Sequence, residues 1–307
     1  GGLLNLVSAG QQNVILNGNP SKTFWKTTYA KYTNFGKQNF RIDLEGSPML
    51  NLTSETLYTF KIKRYADLLM DCYLSFELPN IWSPILPPRK IVNPDGSEGY
   101  TDWAPYEFKW IENLGAQLIS KVVVNCGNQK LQEFTGEYLL SAVHRDFSAT
   151  KLDLFNRMIG HVPELNDPAN AGPYVNTYPN AYYTDNPAGA QPSIASRRVV
   201  VPLNCWFNLK SQMAFPLVSL QYNELTIQIT IRPISELFRI RDVLDYNNNF
   251  PYIAPNFNQT YNQMYRFLQT PPDVELGVTS YIDTRSVWSP DVNLNCTYCF
   301  LSNDESK

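Results

Sequence analysis

Hydrophobic and polar residues alternate strictly between positions 225 and 232. The apolar members of this run are Leu225, Ile227, Ile229 and Ile231, and the polar members are Thr226, Gln228, Thr230 and Arg232. A period of two is typical of a strand with one buried and one solvated face, and β-branched side chains suit a pleated sheet. Pro233 ends the run because proline has no N–H to donate to a neighbouring strand. We therefore predict a central sheet strand here.

The same alternation recurs along the rest of the chain. It predicts half-buried antiparallel strands joined by turns. The predicted strands lie at 39–44, 58–63, 70–78, 198–207, 287–288 and 294–301, with a hairpin at 116–134. The cleanest of these patterns places Met70, Cys72, Leu74, Phe76 and Leu78 on one buried face.

Two short helices are predicted after the hairpin. One covers roughly 135–145, and the other begins at Thr150, with Asp153 placed as in a capping box, and ends near Gly160. Both are too short to be stable alone, so we expect them to lie against the sheet.

Three segments have no periodicity, at about 79–106, 162–197 and 235–280. They are rich in Pro, Asn and Tyr, and long segments of this kind are usually functional or disordered rather than part of a core. The first contains a predicted tight turn at Asp95-Gly96. Roughly eight strands with long, uneven connections predict an all-β fold. We expect an eight-stranded antiparallel jelly-roll sandwich with long loop insertions and two short helices.

Residues 1–35 are predicted to be an N-terminal arm, followed by the jelly-roll domain at 36–307. The arm contains an aromatic cluster with Phe24, Trp25 and Tyr29. These side chains either pack the arm onto its own domain or anchor it on a neighbouring subunit, and both alternatives remain open.

Composition narrows the class of protein. Of the 307 residues, 43% are hydrophobic, which is enough for a large core, and only 17% are charged, against about a quarter in ordinary soluble proteins. The net charge of −3 argues against a nucleic-acid-binding surface, which is normally basic. Low, balanced charge suits a surface that is largely covered by neighbours. The odd cysteine count of 5 favours a reducing compartment, and we expect neither a signal peptide nor a transmembrane segment.

Candidate chemistry is sparse. The only histidines are His144 and His161, whereas a jelly-roll metal site would need paired ligands on adjacent strands. Cys296 and Cys299 form a single CxxC without the two further ligands of a zinc site. Neither a nucleophile elbow nor a phosphate-binding loop occurs. We therefore expect no enzyme activity, no metal and no cofactor.

Two kinds of binding residue are predicted instead. Glu224 opens the central strand, where a structural hydrogen bond or a subunit contact is a better interpretation than acid–base chemistry. Aromatic residues in the insertions could stack on sugar rings, as they do in carbohydrate-binding proteins. The glycan-stacking candidates are Tyr100, Trp103 and Tyr106, or Tyr182 and Tyr183.

Several segments, in the same order along the chain, resemble the major capsid proteins of the large nucleocytoplasmic DNA viruses. The N-terminal segments are Gly1-Gly2-Leu3, Leu16-Asn17-Gly18-Asn19-Pro20 and Tyr32-Thr33-Asn34-Phe35. The middle segments are Asn113-Leu114-Gly115, Gly136-Glu137-Tyr138-Leu139 and Met158-Ile159-Gly160-His161. The strongest motif comprises Pro216-Leu217, Leu220-Gln221-Tyr222 and Glu224-Leu225, and the last is Tyr298 with Phe300-Leu301.

The resemblance implies a structural subunit of an icosahedral capsid that assembles into trimeric capsomers. It implies contacts with copies of itself, through Phe24, Trp25, Tyr29 and Glu224, and with minor capsid proteins. It also implies a location in the virion, near an internal viral membrane, after assembly in the host cytoplasm, without direct nucleic-acid binding. The alternative is a carbohydrate-binding jelly-roll module on a virion surface.

The family has two successive jelly rolls, and this sequence corresponds to the N-terminal one. Three single rolls would form three lobes, which cannot alone imitate six-fold packing. We therefore expect a second jelly roll to follow. A single-roll relative remains the other alternative.

Overall fold

The computed structural model describes residues 27, 29, 32–86, 90–100, 104–181, 191–270 and 288–303. Lys37–Phe300 forms one compact unit. The strands of the described residues are β1 (Phe35–Asp43), β2 (Thr56–Ile62), β3 (Leu68–Leu78), β4 (Ile85–Leu86), β5 (Lys90–Val92), β6 (Glu98–Tyr100), β7 (Ala104–Pro105), β8 (Phe108–Trp110), β9 (Ile119–Cys126), β10 (Gln129–Phe134), β11 (Arg197–Pro202), β12 (Phe215–Pro216), β13 (Leu225–Ile231), β14 (Phe238–Arg241), β15 (Tyr252–Ile253) and β16 (Asn293–Leu301).

Eight of these strands have six or more residues, and they form two layers. One layer has the order β1-β16-β3-β11, with β12 added beside β3, and the other has the order β10-β9-β13-β2. Numbered along the chain, the eight long strands have the order 1-8-3-6 in one layer and 5-4-7-2 in the other, which is the strand order of a jelly roll. The predicted all-β jelly roll is confirmed. The predicted count of eight holds only for the long strands, because the insertions contain short strands of their own.

The hydrophobic core lies between the two layers and follows the predicted alternation. The four apolar residues of β13, which are Leu225, Ile227, Ile229 and Ile231, are all fully buried. β13 pairs antiparallel with β2 on one side and β9 on the other, so it is an inner strand as predicted. Apolar side chains from both layers join these four in one continuous cluster.

A β-bulge changes the predicted buried face of β3. Leu69 is buried and Met70 only half-buried, whereas Met70 was predicted to face the core. The pairing with β16 skips one residue of β3, since Thr297 is opposite Asp71 and Tyr298 is opposite Leu69. Met70 is therefore the extra residue of a bulge, which shifts the alternation by one position.

Four α-helices occur in the described residues: α1 (Leu114–Leu118), α2 (Gly136–Asp146), α3 (Ala149–Met158) and α4 (Pro163–Asn166). α2 and α3 confirm the two predicted helices. The cap of α3 is Ser148, whose hydroxyl accepts the Lys151 N–H at 3.4 Å, so the predicted start at Thr150 is wrong by two residues. Short 3-10 helices lie at Pro168–Asn170, Trp206–Asn208, Ser211–Met213, Leu217–Ser219, Ile234–Glu236, Thr260–Asn262 and Met264–Phe267.

The described parts of the three insertions are folded. In the first, β4 pairs with β7, and β5 pairs with β6 around the predicted turn, where Gly96 has φ +85°. In the third, β14 lies between β8 and β15 in a small sheet.

The second insertion contributes to the core. The buried Tyr178 hydroxyl donates to the Phe108 carbonyl at 2.7 Å and accepts the Phe108 N–H at 3.2 Å. The expectation that these residues lie outside the core is therefore wrong for the buried members of the described part, such as Leu165 and Tyr178.

Candidate assembly surface

An ionic cluster spans the outer face of the layer β1-β16-β3-β11. Ile42 points into the core, so its neighbour Arg41 points outward, and the same alternation places Arg198 on the outside of β11. Asp291, just before β16, joins these two edge strands. The Arg41 Nη2 atom lies 2.8 Å from Asp291 Oδ1, and the Arg198 Nη2 atom lies 3.3 Å from Asp291 Oδ2.

This pairing shifts the protonation equilibria of its members. The hydrogen bond from Arg41 is the main cause that lowers the pKa of Asp291 below its ordinary value of 3.8, while desolvation opposes the shift. The same hydrogen bond raises the pKa of Arg41. All three side chains are close to half exposed, so the pairs are screened by solvent and each contributes about 0–1 kcal/mol.

We expect Asp291→Asn, which removes both ion pairs, to make the protein less stable at neutral pH by no more than about 2 kcal/mol. Because the folded-state pKa of Asp291 is lowered, its stabilisation is present above about pH 4 and is lost as the pH falls through the folded-state pKa. Urea unfolding of wild type and variant at pH 7 and at about pH 2.5 measures this. The gap between them should close in acid, and an equal gap at both pH values would contradict the prediction. A double-mutant cycle with Arg41→Gln isolates the pair.

Glu224 is held by contacts within the chain. Its carboxylate Oε2 lies 2.6 Å from Lys61 Nζ, and its carbonyl accepts the Gly127 N–H at 2.8 Å. The hydrogen bond to Glu224 raises the pKa of Lys61. These contacts lie within the chain, and the role of Glu224 between subunits remains a prediction.

The other predicted assembly residues belong to the N-terminal arm. Tyr29 is exposed. Phe24 and Trp25 lie outside the described residues.

The predicted glycan-stacking set does not lie together on the surface. Tyr106 is fully buried, its ring packs 4.7 Å from that of Phe267, and its hydroxyl donates to the Tyr261 carbonyl. Its prediction as a stacking residue is wrong, because a ring inside the core cannot reach a sugar. Tyr100, on β6, is 69% exposed. Trp103, Tyr182 and Tyr183 lie outside the described residues.

Within the part of the chain that the structure describes, no three His, Cys, Asp or Glu side chains group as metal ligands would. The His161 Nδ1 atom accepts the Asn113 N–H at 3.3 Å, a structural role. Cys72 and Cys296 are buried opposite each other on β3 and β16, with sulfur atoms 3.5 Å apart, and burial raises the pKa of the Cys72 thiol. A protonated, enclosed thiol is a poor nucleophile. Among the described helices, none is long and apolar enough to cross a membrane.

One exposed aromatic residue received no role from the sequence. Tyr222 lies just before β13 and is 94% exposed. The signal in the sequence is the position of Tyr222 within the strongest motif, between the polar residues Gln221 and Asn223 and outside an alternating run.

The sequence matches the family described as major capsid protein N-terminus over residues 23–295. It is 30% identical to the major capsid protein of Chrysochromulina ericina virus over 252 residues, which cover 77% of this chain and 41% of that protein. It is 28% identical to capsid protein 1 of Acanthamoeba polyphaga mimivirus over 246 residues, or 79% of this chain and 36% of that protein. The aligned part is thus less than half the length of these curated relatives.

Solved structures show the same fold. The Faustovirus major capsid protein superposes with a TM-score of 0.52 at 12% identity, covering 97% of this chain and 59% of that chain. A capsid chain in a quasi-atomic model of PBCV-1 superposes with a TM-score of 0.51 at 17% identity, covering 92% of this chain and 46% of that chain.

Proposed function

On the premise that the chain belongs to the major capsid protein family of large DNA viruses, we propose that it forms part of the structural subunit of an icosahedral viral capsid. The observation that carries this proposal is the family match over residues 23–295, which spans both layers of the jelly roll. The fold suits a shell, because a sandwich with one continuous core is a rigid body that presents loops and sheet faces to neighbours.

The finer part of the proposal is assembly into trimeric capsomers that tile the shell. A second jelly roll in each subunit would give three copies a six-lobed outline. The partners of the capsid subunit are then copies of itself and minor capsid proteins. The subunit resides in the virion after assembly in the host cytoplasm. No enzymatic step is part of this function.

Assembly is tested with the purified protein by sedimentation and by electron microscopy. With the second jelly roll present in each subunit, we expect a species with the mass of three subunits and particles with a six-lobed outline. A monomer that persists up to high protein concentration would contradict the proposal. A trimer that forms no wider lattice supports the trimeric capsomer and indicates that minor capsid proteins make the contacts between capsomers.

Glycan binding is less well supported than assembly. With Tyr106 in the core, Tyr100 is the only predicted stacking residue that the described part of the chain places on the surface. A single exposed ring offers little area for sugar recognition. We therefore retain assembly as the function that the geometry supports best.

A further inference from the structure

A groove of about 400 Å³ lies at one end of the sandwich, between the end of β2 and the segment that leads into β13. Its apolar floor includes Leu217 and Leu225, both buried. Its rim is polar, with Tyr222 at one side. We call this feature the Tyr222 groove, and its charged lining residues are Lys61, Lys63, Arg64 and Glu224.

The segment that presents Tyr222 is held in place on both sides. After it, Glu224 bonds to Lys61 and to the N–H of Gly127, as described above. Asn223 packs so closely on Gly127 that a Cβ there would lie 2.9 Å from the Asn223 amide oxygen. Before it, the Val218 N–H donates to the Asp67 carbonyl at 3.2 Å. A partner that binds here pays little ordering entropy, because the segment is preorganised.

Among the large hydrophobic side chains of the described residues, that of Tyr222 is the most exposed. Tyrosine carries a large apolar area together with one hydroxyl, and residues of this kind dominate binding energy at protein interfaces. At 94% exposure the ring of Tyr222 contributes little to the core of its own chain. An exposed ring beside a groove, on a segment that is already fixed, suits an interface.

Charge identifies the partner's chemistry. The groove has three cationic side chains and one carboxylate, giving +2, in a chain whose net charge is −3. The remainder of the chain therefore has a net charge of −5 (−3 minus +2). Neither Lys63 nor Arg64 has a salt-bridge partner among the described residues. A second copy of this chain, which is net negative outside its own groove, complements these two cations, and such complementarity guides association.

We propose that the Tyr222 groove docks a carboxylate-bearing surface segment of a second copy of this chain, with Tyr222 as the aromatic anchor and Lys63 and Arg64 as the charge partners. This contact joins two different patches, so it is heterologous and generates rings or extended arrays rather than closed pairs. The inference deepens the proposed capsid function, on which it rests, by naming a surface through which copies meet.

Self-association measured by sedimentation over a range of protein concentrations tests the groove. We expect Tyr222→Ala and Lys63→Glu each to weaken self-association by about 10-fold or more. Tyr222→Phe, which keeps the ring, and Lys210→Glu, an exposed lysine outside the groove, should stay within about 2-fold of wild type. Circular dichroism of each variant checks that its fold is unchanged. Equal association of wild type, Tyr222→Ala and Lys63→Glu would overturn the inference.

A photo-crosslinking amino acid in place of Tyr222 identifies the occupant directly. In a mixture of isotopically light and heavy protein, we expect crosslinks that join a light chain to a heavy chain. The crosslinked peptide of the second copy should contain Asp or Glu. Crosslinks within one copy only, or binding of heparin that depends on Lys63 while self-association does not, would overturn the inference. If wild type itself does not associate, the proposed capsid function fails. If wild type associates and the groove variants match it, only the groove inference fails.

Discussion

Ile229→Ala is expected to lower the free energy of unfolding by about 2–5 kcal/mol. Ile229 is fully buried in β13, opposite Tyr58 of β2 and Val122 of β9. Removing three carbons there loses hydrophobic transfer free energy and leaves a cavity that two paired strands cannot close. Urea unfolding followed by tryptophan fluorescence measures the difference, with the slope against urea unchanged.

Thr226→Ala is the matched control for this strand. Thr226 lies three positions earlier in β13, on the opposite face, and is half-exposed. We expect its loss to cost less than about 1 kcal/mol, mainly through β-propensity. Similar costs for the two variants would show that the face of β13 with Ile229 is not the core face.

Gly136→Ala is expected to destabilise the protein by about 3 kcal/mol, at the upper end of overpacking effects. Gly136 is the first residue of α2, and elsewhere in a helix this substitution stabilises by roughly 0.5–1 kcal/mol. Here a Cβ would overlap the backbone carbonyl oxygens of Ala116 and Ile119. Backbone atoms cannot rotate away as a side chain can, so α2 would have to move off the start of β9.

Ser141→Ala provides the comparison within the same helix. Ser141 is exposed on α2, where alanine is the better helix former, so its stability should stay within about 0.5 kcal/mol of wild type or rise. Thermal unfolding of the three proteins side by side gives the ranking. A Gly136→Ala protein as stable as Ser141→Ala would mean that α2 and β9 lie further apart than described.

The long strands could be predicted because their signal is local. The polarity of each residue of β13 indicates which face of the sheet its side chain lies on, so alternation over seven positions is enough to identify the strand. The bulge at Met70 could not be predicted, because it depends on how β16, more than 200 residues later, aligns with β3. α1 and α4 were missed because helices of five and four residues are too short to show a 3.6-residue period.

The surface contacts could not be predicted either, because they join residues that are distant in the sequence. Asp291 and Arg41 are separated by 250 positions, and only the strand order brings them together. Glu224 could be singled out by its place before β13, but its partner Lys61 could not, since many lysines fit a carboxylate equally well. Tyr106 was wrongly predicted to be exposed, because the local sequence of an aromatic residue in a proline-rich segment does not show whether its ring packs on a core or faces solvent.

The hairpin of β5 and β6 is free to diverge between related viruses because, unlike the second insertion, it lies outside the core. None of its described residues belongs to the core cluster, whereas Leu165 of the second insertion does. Insertions, deletions and substitutions in this hairpin therefore leave the core of the sandwich unchanged. This hairpin should then diverge in length and sequence faster than the second insertion.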